Sequence, residues 1–294
     1  MKKQISRKLK LTTYFLITFI IIIVIGIGVG IFHYHQQNSK QPIYLTAVGD
    51  SLTQGIGDND NMGGYPYITQ QLFEKRGRQI SVHNFGVAGD TTNQISNRVI
   101  KNKNLETSLK NSNVISVTTG GNDLLKLLKK NLTQNDETLL NNNLDYSEKT
   151  YENELNLLIK RIRKYNNKAT IYIFGIYNPV YVYFPSAEFI QQSITSWNSG
   201  TQKVIKQHKN VYYIPIDKQL TKGQYQSKKD QKKLLVNANK DVTMDNLEDT
   251  LNNSSKELNE YLSNDDHFHP NKKGYQFMAK QLYNSINRNN YWEK

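Results

Sequence analysis

The chain has 294 residues and no cysteine, and its 38 lysines and arginines outnumber 25 aspartates and glutamates, for a formal net charge of +13. Without cysteine there can be no disulfide framework and no lipid attached through a thiol, so the fold must be held by its core. The basic residues are spread along the chain without an arginine-rich or aromatic-interleaved patch; this argues against nucleic acid as a partner and is compatible with an anionic membrane or wall polymer.

Lys2, Lys3, Arg7, Lys8 and Lys10 precede an uncharged run from Leu11 to Phe32. At about 1.5 Å per helical residue such a run can cross the roughly 30 Å hydrocarbon core of a bilayer. The sequence therefore predicts a basic cytoplasmic tail at 1–10, a transmembrane helix at 11–32 and a polar stem at 33–42. The basic flank places the N-terminus in the cytoplasm and the remainder outside the cell. The alternative, secretion after signal cleavage, is disfavoured by the length of the run and by the bulky Phe32-His33-Tyr34-His35 that follows it. Beyond residue 40 the balance is 32 basic to 25 acidic residues, an excess of seven.

Ile43 to Val48 alternates apolar with small or polar residues and reads as a buried strand. It runs into Gly49-Asp50-Ser51-Leu52-Thr53-Gln54-Gly55, a turn in which a serine stands at a strand's C-terminal end. Tyr65-Pro66 opens a helix with Ile68, Leu72 and Phe73 on one face. Ile80 to Phe85 is a second strand, followed by Gly86-Val87-Ala88-Gly89 and a short helix at 92–101. Val114 to Thr119 is a third strand, ending in Gly120-Gly121-Asn122-Asp123.

Residues 124–144 read either as a packed helix or as part of a cover over the site. Asp145 and Glu148 resemble a capping box ahead of a helix buried through Tyr151, Leu155, Leu158, Ile159 and Ile162. A fourth strand at Ala169–Phe174, a helix through Ile190, Ile194, Trp197, Val204 and Ile205, and a fifth strand at Val211–Ile216 follow. Residues 217–264 depart from this rhythm; Met244, Leu247, Leu251, Leu258 and Leu262 at near-heptad spacing predict a helical insertion, either beside the site entrance or a plain surface helix. Asn271 to Ile286 closes the chain as a helix. Alternation of this kind implies an α/β fold with a mostly parallel five-stranded sheet covered by helices on both faces. The strand ends after residues 48, 85 and 119 should then meet at one edge.

A serine nucleophile needs a base within hydrogen-bond reach and a carboxylate to orient that base. Of six histidines, His33 and His35 flank the apolar run, His83 lies in a strand and His208 ends a helix. His267 and His269 fall in Asp265-Asp266-His267-Phe268-His269-Pro270. The spacing of Asp266 and His269 can bring the carboxylate onto Nδ1 and leave Nε2 for Ser51, although the same residues could form an ordinary turn and helix cap. Asp265 and His267 are expected to face solvent or line the pocket. The Ser51 and Gly89 N–H groups and the Asn122 amide are candidate oxyanion donors.

Four blocks, Gly49-Asp50-Ser51-Leu52, Asn84-x-Gly86-x-x-Gly89, Gly120-Gly121-Asn122-Asp123 and Asp266-x-x-His269-Pro270, resemble those of the SGNH or GDSL hydrolases, in that family's order. The resemblance implies a flavodoxin-like three-layer α/β/α sandwich over residues 43–290. It implies Ser51 as nucleophile, His269 as base and then acid, Asp266 as its orienter, and Ser51, Gly89 and Asn122 as the oxyanion hole. No cofactor or metal is expected. The substrate would be a small-molecule, lipid or glycan ester, cleaved by a membrane-anchored acylhydrolase of the Gram-positive type. An O-deacetylase of wall or surface carbohydrate, a non-catalytic surface binding module, and a metal-dependent hydrolase using Asp50, Asp123 and the His267/His269 pair are the alternatives. Asp50 is expected to brace the turn.

Overall fold

The structure is a computed structural model that describes residues 18–30, 41–60, 62–132, 137–237 and 256–289. Strands β1 (Ile43–Gly49), β2 (Ile80–Gly86), β3 (Val114–Val117), β4 (Thr170–Phe174) and β5 (Val211–Ile214) form one sheet. Their order is β2-β1-β3-β4-β5 and every neighbouring pair is parallel. The helices are α1 (18–30), α2 (Ser51–Gln54), α3 (Gly64–Glu74), α4 (Thr92–Lys101), α5 (Lys103–Asn111) and α6 (Gly121–Leu132). They continue with α7 (Glu137–Tyr165), α8 (Glu188–Ile205), α9 (Asp217–Lys222), α10 (Lys228–Asn237) and α11 (Lys272–Arg288).

The strands are apolar on both faces because both are covered, as parallel sheets require. Ile115, Val117, Ile171 and Ile173 point into one core with α4, α5, α6, α7 and α8. Val114, Tyr172, Phe174 and Ile214 point into the other with α3, α9 and α11. The predicted inward stripes of α7 and α8 are buried throughout. Gly49 pairs with Gly86 and Val48 with Val117, so β1, β2 and β3 end at one edge. That edge is where the order of the strands reverses about β1, the usual place for a site in an open α/β sheet.

Three points differ from the sequence reading. Helix α5 has no counterpart in the sequence reading. Asp145 and Glu148 do not start a helix, because α7 begins at Glu137, and the Glu148 carboxylate accepts a hydrogen bond from the Ser196 hydroxyl of α8 instead of capping. In the 217–264 segment, α9 and α10 are helical, but Leu258 and Leu262 lie on turns and an isolated bridge to Pro270; Met244, Leu247 and Leu251 lie outside the described residues. Of the expected span at 11–32, only the exposed helix α1 is described. Among the described residues no helix is long and apolar enough to cross a membrane, and the tail at 1–10 and most of the stem lie outside them.

Candidate active site

The Ser51 turn is built by close packing. A Cβ on Gly49 would stand 2.3 Å from Thr118 Oγ1 and 2.6 Å from the Thr118 carbonyl oxygen, so only glycine lets β1 pass the end of β3. Asp50 caps α2, its Oδ1 accepting from Leu52 N at 3.0 Å and from the Thr118 hydroxyl at 2.7 Å. Burial raises the Asp50 pKa, with the Thr118 and Leu52 bonds opposing the rise. Asp50 is thus turned inward as a brace, and Ser51 begins the helix.

The loop before α11 carries His269, the expected base. Asn271 caps α11 through Gly274 N at 3.1 Å, and Ser263 N donates to the His269 carbonyl at 2.8 Å. Asp266 Oδ1 accepts the Phe268 and His269 N–H groups at 3.0 and 2.9 Å, leaving Oδ2 for His269 Nδ1 at 2.5 Å. With Nδ1–H held there, Nε2 accepts from the Ser51 hydroxyl at 2.8 Å. Burial pushes the Asp266 pKa up, but the bonds from the His269 ring and backbone outweigh it and hold the carboxyl below its ordinary value.

The loop after β2 satisfies its backbone donors with one exception. Val87 N donates to Gly49 O at 3.0 Å, Asp90 N to Val87 O at 3.3 Å, and Ala88 N to Gln54 Oε1 at 2.7 Å. Gly89 N–H takes no partner among the described residues; its φ is 81° and nothing lies within 4 Å of where a Cβ would stand. Asn122, in the first turn of α6, spends one amide hydrogen on Asp90 O at 2.9 Å, and its second remains. Asp123 accepts from Thr92 N and Oγ1 at 3.0 and 2.9 Å, tying the start of α6 to that of α4; burial raises its pKa.

Ser51, Asp266 and His269 are therefore joined in one hydrogen-bonded chain, and the Gly89 and Asn122 segments are joined to each other through Asp90. Asp50 and Asp123 are occupied by hydroxyl and backbone donors, and among the described residues no group of three or more acidic or histidine side chains could hold a metal ion. His83 and His208 stand on Ser108 and Asn156. Asp265 is exposed, but His267 neither faces solvent nor lines the cavity beside Ser51: it is buried, with Nδ1 2.7 Å from Glu257 Oε2.

Two participants have no signal in the sequence. Arg98 clasps the strand ends, donating to Phe85 O at 2.6 Å and Gly49 O at 2.8 Å and pairing with Asp90 at 2.9 Å. Tyr177 donates to the Phe268 carbonyl at 2.7 Å. Beside Ser51 lies a cavity of about 50 Å³, lined among others by Gly121, Asn122, Ile176, Tyr177, Pro179 and Phe268. An open groove of about 500 Å³ elsewhere, lined by Tyr181, Gln191 and Ser196, includes none of the residues of the Ser51 chain.

A model of the GDSL-like Lipase/Acylhydrolase family matches residues 47–277. The chain is 28% identical over 255 residues to the uncharacterized protein YpmR of Bacillus subtilis (strain 168), spanning 86% of this chain and 85% of that one. Among solved structures it resembles the lipase Lip_vut3 from a goat rumen metagenome, with a TM-score of 0.59 and 22% identity over 83% of this chain and 97% of the other. It also resembles the family 3 carbohydrate esterase of Clostridium thermocellum, with a TM-score of 0.52 and 20% identity over 86% of this chain and all 100% of that one. At these identities the structural likenesses speak for the fold alone.

Proposed function

Because this chain belongs to the GDSL-like lipase/acylhydrolase family, we propose that it is a serine hydrolase of carboxylic esters that works through an acyl-enzyme on Ser51. The observation that carries the reading is the 2.8 Å hydrogen bond from the Ser51 hydroxyl to His269 Nε2, across 218 positions of sequence. His269 removes the hydroxyl proton as Ser51 Oγ attacks the ester carbonyl. The negative charge that develops on the carbonyl oxygen is met by the N–H groups of Ser51 and Gly89 and by the remaining amide hydrogen of Asn122. The tetrahedral intermediate collapses, the C–O bond to the alcohol breaks, and His269 returns the proton to the leaving oxygen. Water then takes the place of the alcohol, His269 again acts as base, and the acid departs from Ser51. Asp266 keeps the ring in the required tautomer and stabilises the imidazolium; each oxyanion donor is worth about 10²–10³ in turnover.

We place the hydrolase domain outside the cell, held by residues 11–32, with secretion after cleavage as the alternative. The basic flank, the uncharged run and the exposed apolar residues of α1 support an anchor. The alcohol portion of the substrate is a lipid or, in the alternative reading, a surface carbohydrate from which the enzyme would remove an O-acyl group.

Ser51→Ala tests the mechanism. It should abolish both hydrolysis of short-chain nitrophenyl esters and labelling by a fluorophosphonate probe; labelling that survived the substitution would overturn the assignment. Digestion of intact cells with external protease tests the location, and the proposal requires the domain to be cleaved.

A further inference from the structure

We infer that two tyrosines of the connection between β4 and α8, Tyr177 and Tyr183, are positioning residues for the base: they hold the loop 263–270 at the depth from which His269 meets Ser51. This rests on the serine-hydrolase reading and adds to it the groups that aim its base.

The loop orders itself but does not place itself. Asp265 N donates to Ser263 Oγ at 3.2 Å, His267 N to Ser263 O at 3.0 Å and Ser263 N to His269 O at 2.8 Å. Asp266 takes the Phe268 and His269 N–H groups on one oxygen and the His269 ring on the other. A unit bonded in this way moves as a body and carries the Asp266–His269 pair with it. Its distance from Ser51 is set by what it leans on. Tyr177, from the end of β4, donates its hydroxyl to Phe268 O at 2.7 Å. Tyr183 donates to Glu257 Oε2 at 3.0 Å, the same oxygen that His267 Nδ1 meets at 2.7 Å, and accepts from Leu258 N at 3.2 Å. The two grips thus fall on residues 267 and 268, directly ahead of the base.

A hydrogen bond can aim a group only when its donor is itself fixed, and this connection is. Gly175 N donates to Ile214 O at 3.0 Å, and a Cβ on Gly175 would stand 2.0 Å from the Tyr213 hydroxyl. The buried Asn198 amide holds both sides of Ile176, accepting from its N–H at 2.8 Å and donating to its carbonyl at 2.9 Å. Asn178 N donates to the Thr221 hydroxyl at 2.9 Å, and Tyr183 N and Phe184 N donate to Val180 O at 3.1 and 2.9 Å. Burial, with the charges of Asp266, Asp50 and Glu257 adding to it, holds the Tyr177 hydroxyl well above its ordinary pKa, so it stays a donor at neutral pH.

The Tyr177 ring also lines the cavity beside Ser51, so the hydroxyl must be removed without the ring. Tyr177→Phe does this. Because the Asp266–His269 pair lies inside the loop, its loss of anchorage should misalign His269 with Ser51 while leaving the ionisation of the ring unchanged. A displacement of about 1 Å at a catalytic group can cost about 100-fold in rate, and a loosened one proportionately less.

The experiment uses the full chain in detergent micelles, with nitrophenyl acetate kinetics across pH 5–9 and the rate of fluorophosphonate labelling of Ser51, both well below the melting temperature. Tyr177→Phe should lower kcat and the labelling rate together by roughly tenfold, with KM and the acid midpoint of the pH profile unchanged. Tyr183→Phe should show the same pattern at roughly threefold. A Tyr177→Phe protein that melts earlier but keeps its kcat would be merely structural and would overturn the inference; were that variant unfolded, an unchanged kcat in Tyr183→Phe would do so. A displaced pH midpoint would overturn the account of the loop as one body. In each of these cases labelling of the wild type at Ser51 would leave the serine-hydrolase reading standing, whereas failure to label the wild type at all would remove both.

Discussion

His267 Nδ1 lies 2.7 Å from Glu257 Oε2, with both side chains buried, on the loop that carries Asp266 and His269. The backbone of His267 is left-handed, with φ at 53°, a region that costs a non-glycine residue roughly 1–2 kcal/mol. Glu257 also accepts from the Tyr183 hydroxyl at 3.0 Å and from Asn259 N at 2.6 Å, so the pair ties the base loop to the segment before α8. His267→Gly relieves the backbone but leaves the buried carboxyl without its imidazole, a loss of about 3–5 kcal/mol. The second effect is larger, and a net destabilisation of about 2 kcal/mol is expected in urea unfolding. Adding Glu257→Gln should recover part of it, because the amide does not carry a charge that needs a partner.

Arg98 holds the ends of β1 and β2 and the Gly89 loop with one planar group. A lysine offers a point charge that cannot meet the three acceptors at once. Arg98→Lys and Arg98→Ala should therefore both lower kcat, by roughly tenfold and up to about 100-fold respectively, since small displacements of an oxyanion donor are costly. Steady-state kinetics with nitrophenyl acetate measure this; equal kcat for the lysine variant and the wild type would refute it.

Gly49 and Gly89 make opposite demands. At Gly49 a methyl group meets the Thr118 side chain and backbone within 2.6 Å, so Gly49→Ala should unfold the protein or lower its melting temperature severely. At Gly89 the space is open and the only obstacle is the φ of 81°. Gly89→Ala should fold with a loss of about 1 kcal/mol, and any larger fall in kcat then reports movement of the N–H donor.

Asp266 gives a pH dependence with a definite sign. Its folded pKa lies below the ordinary value, so the ionised form contributes stability that is complete above the unfolded pKa of about 3.9 and is lost as pH falls through the folded one. Asp266→Asn should be less stable than the wild type at neutral pH, and the difference in melting temperature should shrink below about pH 4. A difference that grew on acidification would contradict the hydrogen bonding seen at this carboxyl.

The sheet was legible because each strand carries its own short apolar run and the first three end in glycine-bearing turns. The pairing of Asp266 with His269 was legible because it is local. His267 was misread because nothing near it in sequence reveals Glu257 as its partner, ten residues away across a turn. Helix α5 buries only Leu105, Ser108 and Leu109, too thin a stripe to stand out among lysines and asparagines. It starts because Asn102 ends α4 and caps the next helix through Leu105 N at 3.0 Å. Arg98 reads as an ordinary charge on a polar helix face; only the convergence of three carbonyl and carboxyl oxygens gives it a task.

The distance along the chain between Ser51 and His269 has a consequence for synthesis. The serine turn emerges from the ribosome early, whereas its base arrives with the last helix, which docks beside α3 in the core shared with Ile68 and Phe73. On the proposed mechanism, chains in production carry an unarmed serine. Hydrolytic competence would then appear only when the final segment closes against the first, and a chain broken off before residue 269 would lack its base however well its sheet has formed.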